Sequence, residues 1–260
     1  MSRLFHALCA AAVLGVAGAA PAWADTTASA SYVINLGGTI IATAKFTLTD
    51  AGGNYDLALN ADVTGVASLV ASGTAKASST GTVTAAGLRS SSFDLTTHSG
   101  GQDFSDTVQY TAGNVSAFIV DPPIVNNLNR VPIERSQLSG VNDMMAAFVL
   151  KAGALDKSLC DQHDHIFTGI ERFDLDFSYA KDDTATSPRT GYQGPVVLCH
   201  VKYKPISGHY TTSQLTNSLA QDDRILIWYA PLKATGYFIP YRVLLTTSMG
   251  DLSLVLTSLN

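Results

Sequence analysis

The sequence predicts a mainly β protein: one large, strongly curled antiparallel sheet, spiral or barrel-like, with one short amphipathic helix packed on it. Three observations favour this fold class. Apolar and polar residues alternate over many short stretches, as expected of half-buried strands. Turn residues separate these stretches at short intervals, and only one stretch has helical spacing. Residues 25–260 suit a single all-β domain, and open sheets that large tend to curl.

The first 24 residues predict a signal peptide. Residues 4–19 form an apolar run after a weakly basic start, and residues 21–24 place small side chains where a signal peptidase cleaves. We therefore expect cleavage after Ala24, export to the periplasm and a single β-rich domain over residues 25–260. No later stretch approaches the roughly 20 apolar residues of a spanning helix, so we expect no transmembrane segment in the mature chain.

The charge of the chain argues against a nucleic-acid partner. The formal net charge is −5, and only 14% of residues are charged. No basic patch is dense enough to follow a row of phosphates.

The N-terminal half predicts strands joined by short turns. Residues 28–48 alternate on both sides of the Gly37–Gly38 pair, which indicates a hairpin, and a third strand follows the turn residues 50–54. Residues 65–87 are rich in Ala, Ser, Thr and Gly, and they fit either two slender strands or one strand and a loose loop. Further strands are predicted at residues 92–97, 106–110 and 115–120.

One stretch, residues 139–153, has the spacing of a short amphipathic helix. Asn142 can cap its first turn, Asp143 suits the positive end of the helix dipole, and Lys151 lies near its end. We expect the helix, residues 143–151, to pack in or near the concavity of the sheet.

Two cysteines remain after cleavage of the leader. Cys160 and Cys199 form an even pair in an exported chain, which predicts a disulfide; two buried thiols that never meet are the alternative. Alternating strands are predicted at residues 172–179 and 197–203, on either side of a polar connection. Residues 211–223 form a helical or irregular connection, and the chain then ends in further strands at residues 224–229, 237–247 and 252–256.

Several longer motifs stand out: LSGVNDMMAAF at residues 138–148, IFTGIERFDLDF at 166–177, GPVVLCHVKYKPISGHY at 194–210, and the closing IWYAPL, IPYRV and MGDLSL. They resemble the domain of unknown function 3108 family of exported bacterial envelope proteins, over most of the mature chain. The chain departs from the family in having Thr168–Gly169 where an Asp-Gly turn is expected. The resemblance implies no activity. It implies an exported β domain with a curled sheet, loosely similar to lipoprotein carriers, in which such sheets clasp a helix or an acyl chain.

Aromatic residues of the C-terminal half predict an apolar face. If the helix does not fill it, this face becomes a groove for a lipid or another apolar ligand; the alternative is that its residues are plain core. The candidate groove residues are Phe173, Phe177, Tyr203, Trp228 and Phe238.

No catalytic residue is predicted. His163 and His165 flank an acid and are weak zinc-ligand candidates, since a site would also need a third protein ligand such as His200 or His209. No Gly-x-Ser-x-Gly turn occurs to expose a nucleophilic serine.

We therefore expect a non-enzymatic periplasmic protein of the cell envelope that uses no cofactor. It would bind an apolar ligand such as a lipid, or an envelope protein, on the concave face of its sheet. The alternative is a scaffold or interaction module for envelope proteins or peptidoglycan with a filled core, which predicts an exposed aromatic patch instead of an enclosed cavity. A metal-binding protein and a hydrolase rank below both.

Overall fold

The structure, a computed structural model, describes residues 25–64, 72–222, 224–233, 235–247 and 250–260. The predicted signal peptide and its cleavage site lie outside these residues, as does part of the stretch between Gly65 and Gly87 where two interpretations were open. No helix in the described chain is long and apolar enough to cross a membrane.

The first half of the described chain is a meander in which each strand pairs antiparallel with the next. The turn between the first two strands uses Gly37 and Gly38, whose φ angles of 56° and 84° favour glycine. The strands are β1 (Thr26–Leu36), β2 (Thr39–Ala51), β3 (Asn54–Val63), β4 (Gly73–Thr84), β5 (Gly87–Ser99), β6 (Gln102–Thr111) and β7 (Asn114–Asp121).

The second half adds another antiparallel meander. Its last strand pairs with β1, and this joins the two halves into one sheet. The short strand β8 (Leu150–Lys151) pairs with β13 beside the main path. The other strands are β9 (His163–Phe167), β10 (Arg172–Ala185), β11 (Gly194–Ser207), β12 (Ile225–Pro231), β13 (Tyr237–Thr247) and β14 (Gly250–Leu259).

The prediction of a mainly β protein with one large antiparallel sheet is confirmed. The predicted strongly curled sheet, closed as a spiral or barrel, is not found: within the described residues the end strands β7 and β9 do not pair, and only side chains bring them into contact. The physical reason is that Asn142, in the connection between the two halves, takes up backbone hydrogen-bonding groups of His165 and Phe167 in β9.

Two α-helices are present in the described chain, not one. Helix α1 spans Met144–Phe148 and is shorter than predicted, because Leu150 and Lys151 leave the helix to pair with β13. Its N-cap is Asp143, whose side chain accepts a hydrogen bond from the backbone N–H of Ala146 at 2.8 Å. Helix α2 spans Gln214–Gln221.

The buried residues form two clusters. The larger core cluster lies against the inner sides of β1 to β6 and includes Met145 and Ala146 of α1. The disulfide cluster surrounds Cys160 and Cys199 and lies against β9 to β13. Helix α1 contributes to both, which agrees with the prediction that this helix packs on the sheet.

A buried polar contact ties the two halves together. Asp50, at the end of β2, accepts a hydrogen bond from the Tyr237 hydroxyl of β13 at 2.7 Å. The Lys151 ammonium of β8 lies 3.2 Å from the same carboxylate oxygen and 4.1 Å from the centre of the Tyr237 ring. A buried charge that is paired and hydrogen-bonded in this way avoids the cost of an isolated one.

The connection between the halves is held by the last residues of the GPVVLCHVKYKPISGHY motif. Arg130 donates hydrogen bonds to the backbone oxygens of Gly208 and Ile170, each at 2.7 Å. Gly208 has φ of 83°, and a Cβ there would lie 2.0 Å from the oxygen of Ile170. The glycine is therefore required for close packing of two backbones.

Candidate functional site

The structure contains the predicted disulfide. Cys160 ends a short 3-10 helix, Lys157–Cys160, and bonds Cys199 at the middle of β11. Both residues are buried, and the bond joins positions separated by 39 residues. It fastens the segment that follows α1 onto the sheet.

The predicted groove residues do not line an open groove. Phe173, Phe177, Tyr203 and Phe238 are each less than 10% exposed and pack in the disulfide cluster. These four residues are therefore plain core, which is one of the two interpretations that the sequence left open. Two surface pockets, of about 340 Å³ beside β4 to β6 and about 390 Å³ beside β7, are lined by other residues.

Trp228 does not share a face with the other four. Ile227 and Tyr229 of β12 pack in the disulfide cluster, so the regular alternation of the strand places Trp228 on the opposite face, against the larger core cluster. Its indole N–H donates to Asp183 at 3.0 Å, and the Arg242 guanidinium lies 5.5 Å from its ring. The prediction that it belongs to the same apolar face is wrong.

The candidate zinc ligands are exposed and paired with carboxylates across the sheet. His163 Nδ1 lies 2.9 Å from Asp176, and His165 Nδ1 lies 2.6 Å from Asp174. The Asp176 contact raises the pKa of His163. In the part of the chain that the structure describes, no group of three or more His, Cys, Asp or Glu side chains is arranged to hold a metal.

A buried polar network surrounds the start of α1. The Asp143 carboxylate accepts hydrogen bonds from the hydroxyls of Ser79, at 2.5 Å, and Ser90. Tyr55 contacts both serines, and Asn142 bridges Ser90 and the backbone oxygen of Leu88. Burial raises the pKa of Asp143, while the serine hydrogen bonds act in the opposite direction. The network places serine, tyrosine and aspartate together, but every one of these groups is engaged in holding the helix N-terminus.

Asp106 is a buried carboxyl without a hydrogen-bond partner among the residues that the structure describes. It lies on the inner side of β6 and is 1% exposed, and neither of its side-chain oxygens is hydrogen-bonded to any of those residues. Burial, with a smaller contribution from Asp94, raises its pKa to about 7. The carboxyl packs against Gly169, where an added Cβ would lie 1.9 Å from its oxygen. This contact explains the glycine of the Thr168–Gly169 turn.

Strand β7 is the exposed end of the sheet. Phe118 is 43% exposed and Ile119 is 69% exposed, although the strand pairs with β6 along its length. Apart from a bridge between Asn114 and Ser139, no described residue pairs with its outer edge. The pocket of about 390 Å³ follows this edge and is bounded on its other side by Arg135, Leu138 and Ser139.

The opposite end of the sheet is protected. Strand β9 carries His163, Asp164 and His165, which are polar. Its last residues are covered by Asn142, which donates to the oxygen of His165 at 2.8 Å and accepts from the N–H of Phe167 at 3.1 Å. Charged side chains and covering segments are the usual means by which edge strands avoid pairing with other chains. Strand β7 has neither over residues 115–120.

The two ends of the sheet touch through side chains. The Tyr110 hydroxyl of β6 donates to the backbone oxygen of Phe167 at 2.7 Å. The rings of Phe118 and Phe167 meet edge to face with centroids 5.2 Å apart. Phe118 is therefore anchored on one side and exposed on the other.

Sequence reasoning placed a strand at residues 115–120 but did not identify it as an edge. The signal was present in NVSAFIVDPP, an apolar strand with a single charge at its end followed by two prolines. The sequence pattern also gave no sign of the network of Ser79, Ser90 and Asp143. Asp143 lies 64 residues from Ser79 and 53 residues from Ser90 along the chain. Nothing in the local pattern of these serines distinguishes them from their many exposed neighbours.

A family model described as "Protein of unknown function (DUF3108)" matches residues 31–257. A solved structure described as a beta-barrel-like protein of domain of unknown function DUF1849 from Brucella abortus is similar over 90% of this chain and 97% of that chain, with 10% sequence identity and a TM-score of 0.48. No curated protein matches the chain.

Proposed function

The chain belongs to the DUF3108 family of proteins of unknown function, and from that premise we propose that it is an exported, non-catalytic protein of the cell envelope that binds a macromolecular partner through strand β7 and the segment that follows it. The proposal adopts the interaction-module hypothesis in preference to a groove for an apolar ligand.

The distribution of exposed apolar side chains carries this proposal. Eight large hydrophobic residues of the described chain are exposed, and four of them fall within residues 118–128. Such a concentration of exposed apolar side chains in one short segment is typical of an interaction site. The four residues are Phe118, Ile119, Val125 and Leu128.

The filled core supports the same choice. A carrier for an apolar ligand needs an enclosed space lined by apolar side chains. At the positions where the sequence predicted that space, the aromatic side chains pack on one another; the Phe173 and Tyr203 ring centroids, for example, are 5.2 Å apart. An exposed aromatic residue, Phe118, is instead present on the surface.

Two further observations support export without catalysis. The leader features of residues 1–24 and the paired cysteines both suit an oxidising compartment outside the cytoplasm. The serine, tyrosine and aspartate side chains that lie together are buried and engaged with the N-terminus of α1. We accordingly place the protein in the periplasm with no cofactor.

Site-specific photo-crosslinking tests the proposal. A photo-reactive amino acid at position 119 of the mature protein, added to envelope extract of the native host, should yield one discrete adduct. The same group at Ile40, an exposed residue of β2, should not. Excess unlabelled wild-type protein should abolish an adduct with a different protein, and should itself become the crosslinked partner if the partner is a second copy. Excess Ile119→Asp protein should do neither.

Two results would contradict the proposal. One is equal labelling from positions 119 and 40, which would indicate non-specific contact. The other is stoichiometric lipid in native mass spectra of the purified protein together with no adduct at position 119, which would favour the ligand-groove hypothesis.

A further inference from the structure

Residues 117–121 of β7 alternate regularly between the two faces of the sheet. Phe118 and Val120 pair with the buried residues Val108 and Asp106 of β6. They therefore lie on the inner face of the sheet, the face that carries the larger core cluster. Ala117, Ile119 and Asp121 therefore lie on the outer face, and each is exposed. The bulge that disturbs the alternation lies before Ala117.

This pattern is self-complementary. Antiparallel strands place residues of the same face opposite one another. A strand can therefore pair with its own copy only about a two-fold axis that sets inner-face residues opposite inner-face residues and outer-face residues opposite outer-face residues. A two-fold axis at Ile119 does so. It places Ile119 opposite Ile119 of a second copy, and Phe118 opposite Val120.

The same register also complements charge. It places Asp121 of the second copy opposite Ala117, which lines the pocket beside Arg135. Asp121 and Arg135 are exposed, and neither has an ion-pair partner among the described residues. A two-fold axis forms every such contact twice. The apolar centre of β7 would thus be flanked by two pairs of opposite charge.

The length of the strand restricts which registers are possible. Asp121 is followed by Pro122 and Pro123, which lack a backbone N–H and cannot extend the ladder. At its other end Asn114 is already bridged to Ser139. The free edge is therefore short, and its centre lies close to Ile119.

We infer that the partner of β7 is a second copy of this chain, which pairs antiparallel about Ile119 and joins the two sheets edge to edge. The inference rests on the proposed function and names its partner.

A cysteine at the axis tests the register. Directly opposed residues of antiparallel strands have Cβ atoms about 4.5–5.5 Å apart, near the range that a disulfide spans. Ile119→Cys in the mature protein should give a covalent dimer on mild oxidation, while the native disulfide remains intact. Ile40→Cys should remain monomeric on a denaturing, non-reducing gel. Val120→Cys should crosslink less than Ile119→Cys, because its opposite position is Phe118.

Charge exchange tests the flanking pairs. Asp121→Arg and Arg135→Asp should each weaken dimerisation, measured by sedimentation, by about tenfold, which corresponds to about 1.4 kcal/mol. The double variant should restore wild-type dimerisation. A purely structural role for either residue would not give this recovery.

The outcomes separate this inference from the proposed function. A wild-type protein that stays monomeric at high micromolar concentration, but whose position 119 crosslinks specifically to a different envelope protein, overturns the second-copy inference and leaves the proposed function standing. A monomer without any specific adduct overturns both. Failure of the double charge variant to recover, with an intact Ile119→Cys dimer, overturns the Asp121–Arg135 contact.

Discussion

Replacement of Asp106 by asparagine should make the protein more stable at high pH. Asp106 is the buried carboxyl of β6 whose two oxygens have no hydrogen-bond partner. In the wild-type protein its ionisation places a charge in apolar surroundings, which is unfavourable. Asparagine has nearly the same shape and never carries that charge, so Asp106→Asn removes the cost of ionisation and leaves the packing against Gly169 in place.

The magnitude follows from the raised pKa. The pKa of the Asp106 carboxyl is raised from 3.8 to about 7 in the folded protein, and each pKa unit corresponds to about 1.4 kcal/mol. The upper bound is therefore about 4 kcal/mol, and because relaxation of the surroundings lowers the cost of a buried charge, we expect about 2–4 kcal/mol. The folded state holds the proton more tightly than the unfolded state. The stability from neutral Asp106 is thus fully present below about pH 4 and is lost as the pH rises towards 7.

Urea unfolding at pH 4, 6 and 8 measures the effect. The free energy of unfolding of Asp106→Asn should exceed that of the wild type at pH 8 by about 2–4 kcal/mol, and the two should agree to within about 0.5 kcal/mol at pH 4. The buried Asp143 and the half-buried Asp164 also have raised pKa values, but both proteins contain them and the difference isolates Asp106. Asp62→Asn, at an exposed position of β3, is the matched control. A constant difference between variant and wild type at all three pH values would refute the reasoning.

Four further variants test the packing. Cys199→Ser should lower the free energy of unfolding by about 2–4 kcal/mol in thermal or urea unfolding, because it frees the loop that the disulfide closes; an unchanged melting temperature would show that the bond contributes nothing. Asp143→Ala should cost about 2–3 kcal/mol, since it removes the N-cap of α1 and leaves Ser79 and Ser90 without their acceptor; equal stability would argue against the network. Phe177→Asp should prevent folding, judged by circular dichroism, while Asp176→Ala should change stability by less than about 1 kcal/mol; the reverse order would mean that the faces of β10 are assigned the wrong way round.

The strands were predictable because their signal is local. Residues 28–48 alternate around two glycines, and they form β1, β2 and the turn between them. The disulfide was predictable from the number of cysteines and from the expectation that the chain is exported. The prediction of a strong curl failed, since closure depends on which strands pair at the ends of the sheet. The alternation of apolar and polar residues in β7 and β9 does not say whether these strands pair.

The predicted groove failed for a related reason. Period-two alternation places Trp228 on the face of β12 opposite Ile227 and Tyr229, so grouping it with the other four aromatic residues was an error in the assignment of faces. Burial of Phe173 and Phe177 was correctly expected on one face, but whether a face is filled depends on what packs over it. Here the covering residues, such as Leu159 and Cys160, belong to a segment with no regular pattern. The exposure of β7 is likewise a property of the sheet as a whole.

Hydrogen–deuterium exchange shows whether the outer edge of β7 is covered, because an unpaired edge strand and a paired one differ in how well their backbone N–H groups are protected. At micromolar concentrations of the mature protein, we expect slow exchange over residues 115–121 in the wild type and fast exchange over the same residues in Ile119→Asp, with unchanged protection in β1 to β4. Equally fast exchange of residues 115–121 in both proteins, at every concentration and in the presence of envelope extract, would show that this edge stays uncovered and that β7 binds no partner.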